Sequence, residues 1–272
     1  MQSVGEWLRL ITAELQGAVE RPRREAQLLI MALLEKDELW LMTHEADIVE
    51  EGEKLASWVE RRKKNEPIEY ITNRVSFYSQ EFHIEPGALI PRPETELLID
   101  EVLALADRDA ELTIVEIGVG SGIISTVLAQ ELPKAKIIAV DISPEALKVA
   151  KKNIECFGLG GRIELRQGDL LEPVSESIDI LVSNPPYIAN DEPLESNLDY
   201  EPDLALFGGE IGDEIIKRLL DAVFERGIRI FACEMGYDQK PKVQHYLEGK
   251  RYNELKFYED LAGLDRGFVL KT

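Results

Sequence analysis

Two cysteines and three histidines are spread over 272 residues, which leaves little with which to hold a transition metal. Cys156 and Cys233 form no C-x-x-C pair and have no histidine cluster beside them. A zinc site needs about four such ligands at close spacing, so no metal is expected. Both thiols stand in apolar segments and are expected to be buried. Long apolar runs are also missing. Stretches such as Ile137–Val140 fall far short of the roughly 20 residues that a membrane-spanning helix needs. Glu6 stands where a secretory leader would carry basic residues, and no apolar core follows it. A cytoplasmic protein without a membrane partner is the expectation.

Positive charge is the third scarcity. There are 31 Lys and Arg against 52 Asp and Glu, a net charge of −21. The imbalance is not confined to a tail: residues 1–70 carry −5 and the remainder −16. Nucleic-acid binders need Lys and Arg to displace counterions from phosphates, and this chain repels them instead. The chain is read as a monomer with no direct nucleic-acid partner.

What is present divides by texture. In the first seventy residues apolar positions recur at helical spacing: Val4, Trp7, Leu8, Ile11 and Leu15, then Ala26, Leu29, Ile30, Leu33 and Leu34 after Pro22, then Leu55, Trp58 and Val59. The basic run Arg61–Lys64 suits a solvated helix C-terminus. The three tryptophans, all in this part, are expected to pack a small helical domain over 1–70. Tyr70–Ile71 and Phe77–Ile84 have strand character, which suggests a β-hairpin linker over 71–90. Pro91 and Pro93 then force an extended or turned backbone before a helix carrying Leu98, Val102 and Leu105.

Beyond residue 110 strands and helices alternate. Strands are expected at Leu112–Ile117, Lys136–Val140, Ile163–Arg166, Ile178–Val182 and Ile228–Cys233. Helices are expected at Ser121–Leu132 and after Ser143-Pro144. Such alternation builds an α/β fold, a mainly parallel sheet with helices on both faces, here over 91–272. Ligands bind such sheets beyond the C-terminal ends of the strands.

The first of these strands ends in Glu116-Ile117-Gly118-Val119-Gly120-Ser121-Gly122 and runs into a helix. Glycines permit a tight turn and close approach of a ligand to the backbone. A dinucleotide fold wants G-x-G-x-x-G, but the last position counted from Gly118 is Ile123. The pattern is instead acid-x-G-x-G-x-G, which resembles the first motif of class I methyltransferases and implies S-adenosylmethionine as cofactor. Asp141, at the second strand tip, is a candidate acceptor for both ribose hydroxyls, or alternatively a capping acid before Ser143. Asp169, in Gln167-Gly168-Asp169-Leu170, is a candidate acceptor for the exocyclic amine of adenine.

Ser183-Asn184-Pro185-Pro186-Tyr187 follows the fourth strand. The prolines fix φ and remove donors, so acceptors remain: the Asn184 side-chain oxygen and the Pro185 carbonyl. Two acceptors suit a planar NH₂ group whose face Tyr187 covers. An amide or aryl-amine nitrogen is a poor nucleophile, because its lone pair is delocalised. Holding both of its hydrogens orients it toward an electrophilic methyl and stabilises developing positive charge. Asn184 and Pro185 are the candidate catalytic residues, with Pro186 and Tyr187 completing the substrate site.

Several further segments resemble the HemK/PrmC family: Glu66-Pro67-Ile68-Glu69-Tyr70-Ile71, Phe77-Tyr78, and LIPRPETELL at 89–98. So do EPDLALFGG at 201–209, Glu234-Met235-Gly236-Tyr237-Asp238-Gln239, and Leu261-Ala262-Gly263 with Arg266. The resemblance implies a helical N-terminal domain, a linking hairpin and a seven-stranded Rossmann-like methyltransferase domain. It implies methyl transfer to N5 of the glutamine in the Gly-Gly-Gln motif of class I peptide release factors, a step that modulates translation termination. It places the cofactor on Gly118–Gly122, Asp141, Leu170 and Asn184, and the glutamine on Asn184–Tyr187. Two departures stand out: Asn73 and Ser79 occupy positions where the family usually has glycine. The rival reading, an adenine-N6 nucleic-acid methyltransferase with the same tetrad, would want a basic cleft and a target-recognition insert. A catalytic half at −16 offers neither.

Overall fold

Ser3 opens the chain's first helix by a reciprocal cap. Its hydroxyl accepts the Glu6 amide, and the Glu6 carboxylate accepts the Ser3 amide. The helix that follows, α1 (Val4–Glu14), turns Val4, Trp7 and Ile11 inward. Pro22 begins α2 (Pro22–Leu34), where its missing N–H costs nothing, and Ala26, Leu29, Ile30 and Leu33 face α1. Three shorter helices complete this part: α3 (Glu38–Thr43), α4 (Gly52–Arg62) and α5 (Ile68–Thr72). The two-residue strands β1 (Gln2–Ser3) and β2 (Ile48–Val49) pair antiparallel beside them. Strand character expected at Tyr70–Ile71 is overturned. The Pro67 carbonyl accepts the amides of both residues, and their buried side chains dock as one helical turn. The basic run is tied down locally, Arg61 to Glu66, Arg62 to Glu25 and Lys63 to Glu60.

The computed structural model describes residues 2–194 and 198–272, and these form two units. Met1–Arg74 with Leu194–Tyr200 make one, and Val75–Pro193 with Glu201–Thr272 the other. The second unit begins at a hairpin of β3 (Arg74–Phe77) and β4 (Gln80–His83). Its turn places Tyr78 and Ser79 at φ 50° and 58°, and Asn73 precedes it at 56°. Both positions where glycine was expected are therefore left-handed. Next come α6 (Thr95–Leu105), β5 (Thr113–Ile117), α7 (Ile123–Glu131), β6 (Lys136–Asp141), α8 (Pro144–Cys156), β7 (Ile163–Gln167) and β8 (Ile180–Ser183). Cys156 ends α8 on its outer face and is exposed, contrary to expectation, whereas Cys233 is fully buried.

A short parallel pair, β9 (Ile188–Ala189) and β10 (Phe207–Gly209), brackets α9 (Asp203–Leu206). The chain closes with α10 (Glu214–Arg226), β11 (Ile230–Glu234), α11 (Lys240–Tyr246), β12 (Glu254–Glu259) and β13 (Asp265–Lys271). Seven strands form one sheet in the order β12-β13-β11-β8-β5-β6-β7, and β13 alone runs against its neighbours. Its core holds Val115, Leu181, Phe231 and Phe268, all fully buried. From central β5 the chain first winds outward through β6 and β7, then returns to β8 on the other side. Strand order reverses between β5 and β8, the point at which such sheets open a crevice for ligands.

Candidate active site

The glycine-rich loop leaves β5 at that reversal. Gly118, Gly120 and Gly122 all have positive φ, 75°, 53° and 79°, which side chains would resist. A Cβ at Gly122 would also meet Ala150 of α8 at about 3.0 Å, so this glycine serves helix packing and does not line the cavity. The rest of the loop does. A cavity of about 300 Å³ lies over the strand tips, bordered by Glu116, Gly118, Val119, Gly120 and Ser121. Asp141, Asp169, Leu170, Asn184, Pro185 and Pro186 border it too. Of the residues expected from the sequence, only Gly122 and Tyr187 stand outside this lining.

Each carboxylate has a distinct setting. Glu116 is buried at the end of β5, where its Oε2 accepts the amide and hydroxyl of Ser125. Its Oε1 has no partner among the described residues. Burial pushes its pKa up to about 8, with Ser125 opposing the shift. Asp141 accepts Gly120 N and Ser143 N, each at 2.9 Å. It thus ties the glycine loop to the start of α8 as well as facing the cavity, and burial raises its pKa. Asp169 is bound by Arg218 of α10 at 2.5 Å, and Arg218 itself lines the cavity. Leu170 takes a left-handed φ of 47° beside them, a strained conformation for a leucine.

The Asn-Pro-Pro-Tyr turn is braced from two segments whose roles composition did not disclose. Gln239 donates to the carbonyls of Tyr187 and Gly212 at 3.0 and 2.9 Å. Gly208 lies so close that a Cβ there would sit 2.4 Å from the Pro186 carbonyl oxygen. Two segments that line the cavity are tied together by Glu201, which is buried and accepts Ile90 N at 2.9 Å and the Arg92 guanidinium at 2.5 Å. That bond pair joins the LIPRPET segment to the segment of Pro202 and Leu204, and both segments contribute to the cavity lining. Asn184 Nδ2 donates to Thr95 Oγ1 at 3.1 Å. The described residues supply no donor to Asn184 Oδ1 or to the Pro185 carbonyl. Tyr187 is partly buried, and its hydroxyl is pushed well above its usual range by burial, with Glu234 adding to the shift.

The orphaned Glu116 oxygen, the glycine cradle and the acceptor at Asp141 fit a ligand carrying positive charge and a ribose. Sheet order, glycine loop and this crevice define a class I S-adenosylmethionine-dependent methyltransferase. The Methyltransferase small domain family matches residues 93–197 and the PrmC N-terminal domain family residues 6–72. The chain belongs to the release factor glutamine methyltransferase family. It is 39% identical to the release factor glutamine methyltransferase of Koribacter versatilis over 91% of this chain and 90% of that protein. With the enzyme of that name from Dictyoglomus turgidum it shares 43% over 87% and 83%. Among solved structures, the human METTL16 catalytic domain in complex with an RNA hairpin superposes with a TM-score of 0.58 over 80% of each chain. At 15% identity, that likeness speaks to the fold alone. No helix among the described residues is long and apolar enough to cross a membrane.

Proposed function

We propose that this chain transfers a methyl group from S-adenosylmethionine to N5 of a glutamine side chain, the Gly-Gly-Gln glutamine of a class I peptide release factor. The enzyme acts in the cytoplasm, as a monomer. The observation that carries the reading is a pair of acceptors to which the described residues supply no donor, Asn184 Oδ1 and the Pro185 carbonyl, on a rigid turn that lines the cavity. When bound, S-adenosylmethionine supplies an electrophilic methyl on a sulfonium. Glu116, with one oxygen unpartnered, holds the cofactor's ammonium end; Asp141 takes its ribose; and Asp169 and Leu170 border the adenine. Asn184 and Pro185 accept the two amide hydrogens of the substrate and aim its nitrogen. The amide nitrogen held by these two acceptors would take up that methyl, leaving the electron pair on sulfur, and would then release a proton. Both acceptors strengthen as positive charge grows on that nitrogen, which lowers the barrier without a strong base.

The adenine-N6 reading shares the turn, but no feature of this acidic chain favours it. The test is label transfer from methyl-tritiated cofactor, offered release factor in one arm and DNA or RNA in the other. Label on the release factor, lost when its Gly-Gly-Gln glutamine is changed to alanine, is the expected result. Label only on nucleic acid overturns the reading. Asn184→Ala should lower single-turnover transfer about 10²- to 10³-fold while changing cofactor affinity much less. A near-normal rate in that variant would reduce the turn to a structural role.

A further inference from the structure

Strand register places a buried carboxylate beside the proposed catalytic amide. Cys233 of β11 lies opposite Ser183 of β8, so the next residues, Glu234 and Asn184, leave adjacent strand tips side by side. Thr95, the first residue of α6, bonds both: its Oγ1 is 2.7 Å from Glu234 Oε2 and 3.1 Å from Asn184 Nδ2. Glu234 is only 2% exposed and Thr95 only 4%.

The chemistry of these three groups permits one polarity. A threonine hydroxyl has a single hydrogen, and an ionised carboxylate can only accept. Thr95 therefore gives its hydrogen to Glu234 and offers only lone pairs to Asn184. The Asn184 atom facing Thr95 must be the NH₂, and the Oδ1 is left for the cavity. Without that constraint the two ends of an asparagine amide are nearly equal in shape and exchange places. An inverted amide would set NH₂ against the substrate's NH₂, two donors with nothing between them to bond. We propose that Glu234 and Thr95 are positioning residues whose hydrogen-bond chain locks the orientation of the Asn184 amide, so that an acceptor meets the glutamine nitrogen. The proposal rests on the glutamine-transfer reading above.

A protonated Glu234 would undo the lock, since a carboxylic acid can donate to Thr95 and free the threonine hydrogen to turn toward Asn184. Burial raises the pKa of Glu234 to about 7; Thr95, Arg266 and Asn184 oppose the shift, and Glu94 adds to it. Tyr187, Tyr258 and Cys233 also face it; all three are neutral near pH 7, and burial raises their pKa values further. Turnover at saturating substrates should therefore fall as pH drops through about 7.

The experiment compares Thr95→Val, Thr95→Ser and Glu234→Gln with the wild-type enzyme, using S-adenosylmethionine and release factor. Calorimetric cofactor affinity and thermal melting are measured on each. Thr95→Val keeps the shape and removes the relay, and its kcat should drop ~10-fold or more with cofactor affinity within about twofold. Thr95→Ser, which keeps the hydroxyl, should restore kcat to within about threefold of wild type. Glu234→Gln accepts either polarity, so its kcat should be lower than wild type and flat across pH 6 to 8, where wild type is not. A normal kcat in Thr95→Val, a Thr95→Ser as slow as the valine variant, or an unchanged pH profile in Glu234→Gln overturns the proposal. A wild-type enzyme that leaves release factor unlabelled sinks the function reading instead, and the two failures are distinct.

Discussion

At the scale of single residues, the site is governed by what burial does to acids. Glu116 has a pKa near 8 in the folded protein against an ordinary value of 4.5. A raised carboxyl pKa means the folded chain holds a proton that the unfolded chain has lost. Its contribution to stability therefore declines as pH rises from about 4.5 to about 8 and is constant above that. A cation binding beside it pulls the other way, because it favours the ionised form. Cofactor affinity should accordingly tighten as pH climbs toward about 8, and Glu116→Gln should flatten that rise. Titration calorimetry at several pH values decides it; a wild-type affinity independent of pH would place the cofactor's charge elsewhere. Strain offers a second residue-scale test. Ser79 sits at φ 58° with no help from an amide side chain, whereas Asn73 at 56° is a residue type that tolerates this region. Ser79→Gly should stabilise the protein by about 0.5–1 kcal/mol, read as a higher denaturation midpoint, and Asn73→Gly by less. Equal or reversed effects would show that the turn carries no such strain.

At the scale of elements, the central strands and their helices were legible because their signals are local. Ser143-Pro144 marks a cap, and Ser143 Oγ does accept Ala146 N at 3.2 Å. The end of β5 was marked by Glu116 and the glycines that follow, and the end of β6 by Asp141. The glycine loop and the Asn-Pro-Pro-Tyr turn were legible for the same reason, each being a few consecutive residues with restricted backbone. What stayed hidden depends on distance along the chain. The Glu201 bonds to Ile90 and Arg92 span more than a hundred positions, and Arg218 reaches Asp169 from α10. No periodicity announces such pairs, although EPDLALFGG stood out as a motif. Tyr70–Ile71 was misread because a two-residue apolar pair cannot distinguish a strand from one helical turn. Close approach between β10 and the Pro186 carbonyl makes Gly208 a sensitive point of this architecture. Gly208→Ala would drive a methyl against two backbone oxygens, those of Pro186 and Gly212. It should destabilise the fold by about 1–3 kcal/mol and slow methyl transfer more than it weakens cofactor binding. A variant that melts and turns over like wild type would mean that β9 and β10 are free to separate.

At the scale of the whole molecule, charge is the property that no single site explains. A net −21 on 272 residues exceeds what solubility requires of a domain this size. Many of the cations that are present face acids already, as Arg166 does with Glu164 and Glu176, or Arg62 with Glu25. The field that reaches solvent is therefore strongly negative. A partner that works against ribosomal RNA needs basic surface, and such a surface would be drawn to this one. Steering of that kind acts before contact, at separations comparable to the Debye length, about 10 Å at 0.1 M salt. Docked contacts at short range are screened far less. Raising ionic strength from about 0.05 to about 0.5 M should thus slow association roughly 10-fold while dissociation changes by less than about twofold. Stopped-flow mixing of enzyme and release factor separates the two rates. If salt altered dissociation and left association untouched, the acidic surface would be a matter of solubility, and recognition would rest on the contacts around the glutamine alone.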